Sequence, residues 1–209
     1  MPELPEVETI VQQLRKRVVG KTIKCAAVKD QKIADTKLET LVSARILSAS
    51  RKGKIIIIEL DKGRFLLTEL RMTGHFHHYL TKAAADQAEE KYVAVTFFLN
   101  DGSLLTFNEV RRFGRMRLLT EEQLHQALNK LGMDVLSKEF TLNAFRQLLE
   151  KRKKTTVKIA LMDQHLFAGV GNIYAQEALY RAKILPQRKN ATLSAAEMQN
   201  LYRELLAVL

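Results

Sequence analysis

The first residues of the chain place a nucleophile beside an acid. Met1 precedes Pro2, and a small second residue such as proline usually permits removal of the initiator methionine. The mature chain would then begin with the secondary amine of Pro2. A terminal amine has a pKa of roughly 7.7–8.0, so a neutral fraction is available at physiological pH to attack an aldehyde carbon and form an iminium ion. Glu3, the next residue, offers a carboxyl group for proton transfer at the same centre.

The same residues also fit an ordinary helix start. Pro2 and Pro5 suit a first helical turn, where the missing N–H of proline costs nothing. Gly20 would end the helix. Apolar residues follow Pro5 at helical spacing: Val7, Ile10, Val11, Leu14 and Val18. We expect this helix whether or not Pro2 and Glu3 do chemistry.

The composition favours an anionic partner. The chain has 209 residues, a formal net charge of +11 and a pI of about 9.8. Its one cysteine, Cys25, excludes an internal disulfide and a cysteine-rich zinc site within the chain, and indicates a reducing compartment. Neither a membrane-spanning apolar run nor a signal-peptide pattern is present in the sequence. A cytoplasmic protein that does not bind membranes is therefore expected.

The first half of the chain has the pattern of antiparallel strands, and the second half that of helices. Residues 54–60 and 64–70 flank Asp61-Lys62-Gly63, and residues 92–99 and 103–107 flank Asn100-Asp101-Gly102, two loops with glycine where a hairpin needs positive φ. Residues 81–91 are interpreted as a loop or a connection between strands. We predict an α+β chain, with a β-domain at 1–119 that carries the N-terminal helix and a helical domain at 120–209.

Local signals place the helices of the second half. Thr120–Gln123 and Ser194–Glu197 have the pattern of capping boxes, and Gly132 is predicted to close the helix that starts at Thr120. Further helices are predicted after Thr141 and at residues 156–164 and 172–182. The last apolar stripe runs to Leu209 without Gly, Pro or a basic final turn, which predicts that a longer protein continues beyond it.

Three segments could bind an anionic polymer. Arg111–Arg117 contains four arginines and Phe113, which suits phosphate contact and stacking, although a solvated strand with alternating arginines would look the same. Lys151–Lys154 with Lys158 is a basic run, a pattern that usually marks solvated surface. Gly169–Tyr174 is a glycine turn that opens a helix, and its N–H groups with the Asn172 amide could cradle a phosphate.

Three histidines, His75, His77 and His78, lie close together in the sequence. No carboxylate or cysteine stands at a ligand-like spacing from them, so the sequence favours exposed loop histidines, and no metal site is predicted.

Taken together, these segments make the chain resemble the formamidopyrimidine-DNA glycosylase family of bacterial base-excision repair enzymes. The segments occur in the family's order over nearly the whole chain. They are PELPEVET at residues 2–9, Arg51–Lys54, Met72–Gly74, Arg111–Gly114, and Leu161–Asp163 through Gly169–Tyr174.

The resemblance implies a β-sandwich with a catalytic N-terminal helix, followed by a helix–two-turn–helix domain that binds DNA. It further implies that Pro2 attacks C1′ of a damaged nucleotide, that Glu3 donates a proton during base loss, and that Lys54 does so during β-elimination. Glu6 would support the site from the first helix. The implied partner is double-stranded DNA with oxidised bases, in the bacterial cytoplasm at the nucleoid, bound by a monomer.

The resemblance also assigns DNA contacts. Met72, Arg111 and Phe113 would fill the gap left when the damaged base leaves the stack, a task that suits a flexible apolar side chain, a cation and an aromatic wedge. Phosphates flanking the lesion would be held by a second group of residues. Its members are Lys153, Lys158, Asn172 and Tyr174, with Tyr92 at a position that is usually a phosphate-contacting histidine.

The chain departs from the family pattern in several places. Members continue into a lesion-covering loop and a four-cysteine zinc finger, neither of which follows here. No cofactor is therefore expected within this chain, zinc is expected only of a longer form, and weak duplex binding is expected of the 209 residues alone. Glu69 stands where histidine is usual and could place a negative charge near DNA, and Ile159 replaces a proline after Lys158.

Two alternatives stay open. An endonuclease VIII-like enzyme would prefer oxidised pyrimidines, whereas Leu4-Pro5 and the Arg111–Gly114 segment favour the purine branch. A non-catalytic relative would keep the DNA-binding surfaces without the reaction. Intact Pro2, Glu3 and Lys54 argue against it, and the missing finger argues for it.

Overall fold

A computed structural model describes residues 2–88 and 90–209, which form two compact units. The first contains Pro2 and residues 6–126, and the second contains residues 3–5 and 127–209. The expected domain boundary at residue 119 falls within the last strand of the first unit and stays a prediction. The expected removal of Met1 lies outside the described residues.

Helix α1 (Leu4–Val18) confirms the helix predicted from apolar spacing. Four of its apolar side chains are buried in the core of the first unit, namely Val7, Val11, Leu14 and Val18. Leu4, at the start of the helix, is buried in the core of the second unit instead. After the helix, Gly20 adopts a φ of 87° and donates its N–H to the Ile46 carbonyl, 2.9 Å away, a left-handed conformation that glycine adopts without steric cost.

Among the described residues, eight strands form the sheet of the first unit, with hydrogen-bonded order β5-β7-β6-β1-β2-β3-β4-β8. Every pairing is antiparallel, and the two four-stranded halves join where β1 pairs with β2 over two registered residues only. Apolar side chains from both halves share one core with α1, which gives the predicted antiparallel sandwich. The strands are β1 (Thr22–Val28), β2 (Ala44–Lys52), β3 (Ile55–Leu60), β4 (Arg64–Glu69), β5 (His75–Tyr79), β6 (Val93–Leu99), β7 (Leu104–Asn108) and β8 (Arg115–Thr120).

The two predicted hairpin loops are confirmed. Gly63 has a φ of 63° between β3 and β4, and Gly102 has a φ of 86° between β6 and β7. A third, tighter hairpin connects β2 to β3 through Gly53 and Lys54 alone. Gly53 has a φ of 56° there, as a two-residue turn with positive φ at its first position requires. Lys54 thus lies in a turn, whereas the sequence pattern had predicted it as the first residue of a strand.

The prediction of loop histidines after Gly74 was wrong. His75, His77 and His78 lie on strand β5, because they pair with β7 at the edge of the sheet. The segment 81–91 connects β5 to β6, as one of its two interpretations had it, but it also contains a short helix, α2 (Lys82–Gln87), whose N-cap Thr81 accepts the Ala84 N–H. An alanine-rich run after a capping threonine favours such a turn of helix.

The second unit is mainly helical, as predicted. Its core centres on four aromatic rings, Phe140, Phe145, Phe167 and Tyr202, and the Tyr202 hydroxyl donates to the Phe140 carbonyl at 2.8 Å. The elements from residue 121 onward are α3 (Glu121–Leu128), β9 (Met133–Asp134), α4 (Leu142–Glu150), α5 (Val157–Met162), β10 (Phe167–Ala168), α6 (Asn172–Arg181) and α7 (Ala195–Val208).

Most of the predicted helix starts in this half are confirmed. Thr141 accepts the Ala144 N–H to start α4, and Ser194 and Glu197 form a full capping box on α7. The Thr120–Gln123 pair also forms both reciprocal bonds, at 3.1 and 3.4 Å. Among the described residues, no helix is long and apolar enough to span a membrane.

Gly132 does not close a helix as predicted, since α3 already ends at Leu128. Its N–H donates to the Gln164 carbonyl at 2.8 Å, beside the short parallel pair of β9 and β10. A Cβ at this position would lie 2.5 Å from the backbone of His165 and Leu166. Glycine is therefore required here for close approach of two backbones and not for a helix cap.

We predict that Gly132→Ala destabilises the protein, because the added carbon must push apart two backbone segments. Overpacking of this kind costs about 1–3 kcal/mol, measurable as a lower denaturant midpoint of the helical circular-dichroism signal. Asn129→Ala, at an exposed position in the same connection, is the control and should stay within about 0.5 kcal/mol of the wild type. Equal midpoints for the two variants would show that the close approach is not needed.

Candidate active site and nucleic-acid interface

Glu3 is anchored to the N-terminus of helix α6. The residue is 1% exposed, and its two carboxylate oxygens accept the backbone N–H groups of Ile173 at 2.9 Å and Tyr174 at 3.3 Å. The first N–H groups of a helix have no partner within the helix, and the helix dipole favours a negative group there. The Glu3 side chain is therefore held in one orientation, directly after Pro2 in sequence.

The two glycines of the turn before α6 are required by this packing. A Cβ on Gly171 would lie 2.2 Å from the Glu3 carboxyl carbon, and one on Gly169 would lie 2.2 Å from Leu4 Cδ1. Gly169 also has a φ of 111°. The motif GVGNIY is thus the surface against which Glu3 and Leu4 pack.

The sequence predicted that N–H groups of this turn, among them those of Ile173 and Tyr174, cradle a phosphate, and this stays a prediction. Both N–H groups bond to the Glu3 carboxylate, so they offer no donor to an anion while that contact stands. The Asn172 side chain is exposed and accepts from Gln176 at 2.9 Å. A phosphate contact by the Asn172 or Tyr174 side chain stays a prediction.

The remaining predicted catalytic residues belong to the first unit. Pro2 is partly exposed and precedes α1, while Glu6 is exposed in the first turn of that helix. Lys54 is partly exposed in the tight β2–β3 hairpin, where the two-residue turn defines its position. The catalytic roles assigned to these residues stay predictions.

The structure brings Met72, Arg111 and Phe113 together. The Arg111 guanidinium lies 5.2 Å from the centre of the Phe113 ring, and its Nη1 lies 3.2 Å from the Met72 sulfur. Met72 and Phe113 are 42% and 52% exposed. An apolar chain, a cation and an aromatic ring thus form one exposed cluster, and the gap-filling role that the resemblance assigns to them stays a prediction.

Glu109 organises this cluster, and the sequence reasoning did not find it. The residue is 2% exposed and accepts the N–H groups of Arg111 at 3.0 Å and Gly114 at 2.8 Å. It also accepts the Thr73 hydroxyl, which joins the Met72 segment to the Arg111 loop. A Cβ on Gly114 would lie 2.5 Å from Glu109 Oε2, so the glycine makes room for the carboxylate.

A second exposed surface lies beside Tyr92, which is 54% exposed. It lines a groove with Lys29, Lys32 and Arg112, among others. Asp30 lies in the same groove, and its contact with Arg112, as close as 2.7 Å, lowers the pKa of that carboxyl through hydrogen bonding. This pairing neutralises one of the arginines that the sequence offered as a phosphate ligand.

Glu69 is also paired, with Arg71 at 2.9 Å. The negative charge that the sequence placed near the expected DNA surface is therefore balanced by a cation two residues away. Arg71 itself has a φ of 52°, a left-handed conformation that is uncommon for a residue other than glycine.

The basic run after α4 is ion-paired in part. Arg152 makes two contacts to Asp163 Oδ2, at 2.7 and 3.0 Å, and Lys153 pairs with Glu150. Burial opposes ionisation of Asp163, but hydrogen bonds from Arg152 and the His165 N–H outweigh it and lower the pKa of the carboxyl. Lys158 lies partly exposed at the start of α5, and its phosphate contact stays a prediction.

The chain does not fit a four-cysteine zinc finger, since Cys25 is its one cysteine. That side chain is exposed on strand β1.

Two family models match the chain. The formamidopyrimidine-DNA glycosylase N-terminal domain matches residues 1–116, and the formamidopyrimidine-DNA glycosylase H2TH domain matches residues 131–209. These matches agree with the β-rich first part and the helical second part of the structure.

Individual relatives agree with the family models. A formamidopyrimidine-DNA glycosylase from Exiguobacterium sp. is 39% identical over 216 residues, covering 100% of this chain and 77% of the relative. The corresponding protein of Heliobacterium modesticaldum is 40% identical over 209 residues, covering 97% of this chain and 75% of the relative.

A solved structure, the complex between Lactococcus lactis Fpg and an abasic-site-containing DNA, superposes with a TM-score of 0.89 at 30% identity. The match covers 99% of this chain and 76% of that one. Sequence and fold therefore agree with the resemblance seen in PELPEVET and GVGNIY, and the chain belongs to the formamidopyrimidine-DNA glycosylase family.

Proposed function

We propose that this protein is a bifunctional DNA glycosylase and AP lyase that excises oxidised purines, such as 8-oxoguanine and formamidopyrimidines, from duplex DNA. The observation that carries the proposal is the anchored Glu3 carboxylate, held by two N–H groups of α6 directly after a potential N-terminal amine. A fixed acid beside an amine is what covalent catalysis at a sugar carbon requires. The formamidopyrimidine-DNA glycosylase relatives supply the substrate class.

The proposed reaction begins with the Pro2 nitrogen. Its lone pair attacks C1′, the bond from C1′ to the base breaks, and the electron pair leaves with the base, which takes up a proton. The Pro2 nitrogen then loses its proton and its lone pair forms a double bond to C1′, while the C1′–O4′ bond of the sugar ring breaks and O4′ takes up a proton from Glu3. An iminium ion between Pro2 and C1′ results. Loss of a proton from C2′ then expels the 3′ phosphate by β-elimination, with Lys54 as proton donor, and a second elimination can follow.

The Met72–Arg111–Phe113 cluster is proposed to occupy the gap in the duplex during this reaction. Extruding a base costs a few kcal/mol, and side chains that replace the lost stacking offset part of that cost. Arg111 would hydrogen-bond the orphaned partner base, while Met72 and Phe113 replace apolar contacts. The solved Lactococcus lactis relatives are complexes with abasic or lesion-containing DNA, which supports DNA as the partner. We propose that the protein acts as a monomer.

Borohydride trapping tests the proposal. Reduction of the iminium should link the protein covalently to a duplex that contains 8-oxoguanine, because the Pro2 nitrogen and C1′ then share a stable bond. Pro2→Gly should lose most of the adduct by denaturing gel, since it replaces the secondary amine, and an added residue before Pro2 should abolish the adduct. Pro5→Ala, which changes a proline of the same segment without altering the terminal amine, is the matched control.

The alternatives give different results in the same assay. An adduct formed only on oxidised pyrimidine would favour an endonuclease VIII-like specificity. Salt-sensitive duplex binding without any adduct would indicate a non-catalytic relative. Intact mass of active material should show that Met1 is absent, and its retention would rule out Pro2 as the nucleophile.

Gly171→Ala should reduce base excision by about 100-fold, because the new carbon would displace the Glu3 carboxylate by an ångström or more. Single-turnover cleavage of an 8-oxoguanine duplex measures this loss. Gly102→Ala is the control for glycine replacement in general, since its φ of 86° is strained for alanine but no atom lies within 4 Å of the added carbon. If both variants keep wild-type rates, the position of Glu3 is not critical.

Glu109→Ala should weaken binding to a lesion duplex more than to an undamaged one, because the buried Gly114 N–H loses its acceptor, whereas the Arg111 N–H keeps the Thr73 hydroxyl. A buried unsatisfied donor costs about 1–3 kcal/mol, so roughly a 10-fold loss of lesion preference is expected. Fluorescence anisotropy with matched duplexes measures the ratio. Asp30→Asn, which disturbs Arg112 in the same loop but not Arg111, should leave the ratio unchanged.

A further inference from the structure

Strand β5 carries three polar side chains on one face at the edge of the sheet. His75, His77 and Tyr79 alternate with Phe76 and His78, so they project to the same side. Phe76 belongs with the hydrophobic core of the first unit and its ring lies 5.2 Å from that of Phe107. The face of β5 opposite Phe76 therefore carries the imidazole rings of His75 and His77, whose centres are 4.8 Å apart.

A carboxylate meets these rings from another part of the chain. Glu90, just before β6, has one oxygen in contact with His77 Nδ1. Its other oxygen accepts from Asn108 Nδ2 at 2.9 Å and from the Thr106 hydroxyl at 3.2 Å. Asn108 and Thr106 are the β7 residues registered with His75 and His77. The Glu90 side chain, 15% exposed, is thus held against the histidine face by the neighbouring strand.

His75 is already oriented by its backbone neighbours. Its Nδ1 lies 2.8 Å from the Thr73 carbonyl oxygen. Because a carbonyl oxygen only accepts, Nδ1 carries the proton and the lone pair lies on Nε2. A ring N–H bonded to a backbone carbonyl is the arrangement that usually orients a metal-binding histidine.

We propose that His75, His77 and Glu90 form a binding site for a divalent transition-metal ion such as Zn²⁺. One potential ligand atom from each residue lies within 4.8 Å of the other two. Two imidazoles and one carboxylate suit zinc, nickel or copper, whereas magnesium and calcium prefer oxygen ligands throughout. Zinc commonly takes four ligands, so this set leaves one position for water.

The proposed metal site uses none of the residues of the proposed reaction, and its ligands are not those of the family's four-cysteine zinc finger. None of its three ligands is among the residues proposed to act on DNA. Bound metal would tie the segment before β6 to the edge strand β5.

Zinc titration against a chromogenic chelator tests the site on tag-free protein. A Cys25→Ser background removes the exposed thiol as a competing ligand. We expect one ion per chain at micromolar free zinc. His75→Ala, His77→Ala and Glu90→Gln should each weaken binding by at least about 10-fold.

His125→Ala is the matched control, because His125 forms a comparable exposed pair with Glu121 at 3.8 Å and has no third ligand nearby in the described part of the chain. It should bind zinc as the parent does. Zinc should also raise the thermal midpoint of the parent protein but not that of His77→Ala. Because the His77 side chain is half exposed, we expect this variant to fold. No uptake, or uptake unchanged in both His77→Ala and Glu90→Gln, would overturn the proposal.

Discussion

The bond between the Glu3 carboxylate and the first turn of α6 is the interaction on which the proposed active site depends. Burial of a carboxylate is costly unless hydrogen bonds compensate for lost water, and here two backbone N–H groups at a helix N-terminus do so. The contact constrains residues on both sides. Gly171 is required because a side chain would occupy the carboxylate's place. Pro2 lies one peptide bond from an anchored residue, which limits the positions that its nitrogen can reach.

Glu109 is a second buried carboxylate that is stabilised by hydrogen bonds, in the first unit. A buried carboxylate has two oxygens that only accept hydrogen bonds, so it can gather N–H and O–H groups from loops without regular structure. Glu109 gathers those of Arg111, Gly114 and Thr73, and a glycine again leaves room for the carboxylate. The two buried acids differ in their proposed roles, since Glu3 is proposed to donate a proton at the sugar, whereas Glu109 supports the exposed Met72–Arg111–Phe113 cluster and need not touch DNA itself.

The sequence predicted elements whose signals are local and missed those whose partners are distant. Apolar spacing and capping residues identified α1, α4 and α7, and glycine positions identified two hairpins. Gly132 was wrongly predicted to end a helix. Glycine is required there because the backbone of His165 passes close by, and that residue lies far along the chain. The sequence likewise did not predict the contacts of Glu109, nor that Glu90 lies against His75 and His77. These contacts depend on strand register, which one sequence does not reveal. The first nine residues and the GVGNIY motif were recognisable as a family pattern, but only the structure explains why they require each other: Glu3 packs against Gly171 and bonds the N–H groups that follow it.

The formal charge of +11 overstates how much positive charge is immediately available to a phosphate backbone. Arg112 and Arg152 each hold a carboxylate through short contacts, and Lys153 holds Glu150. Lys153 and Glu150 are both more than half exposed, and a surface ion pair of this kind contributes only about 0–1 kcal/mol. A phosphate could therefore replace Glu150 at little cost and release counterions on the nucleic acid as it does so. The partners of Arg112 and Arg152 are different, because the Asp30 and Asp163 side chains are only 20% and 17% exposed, and a mostly buried carboxylate that loses its cation is costly.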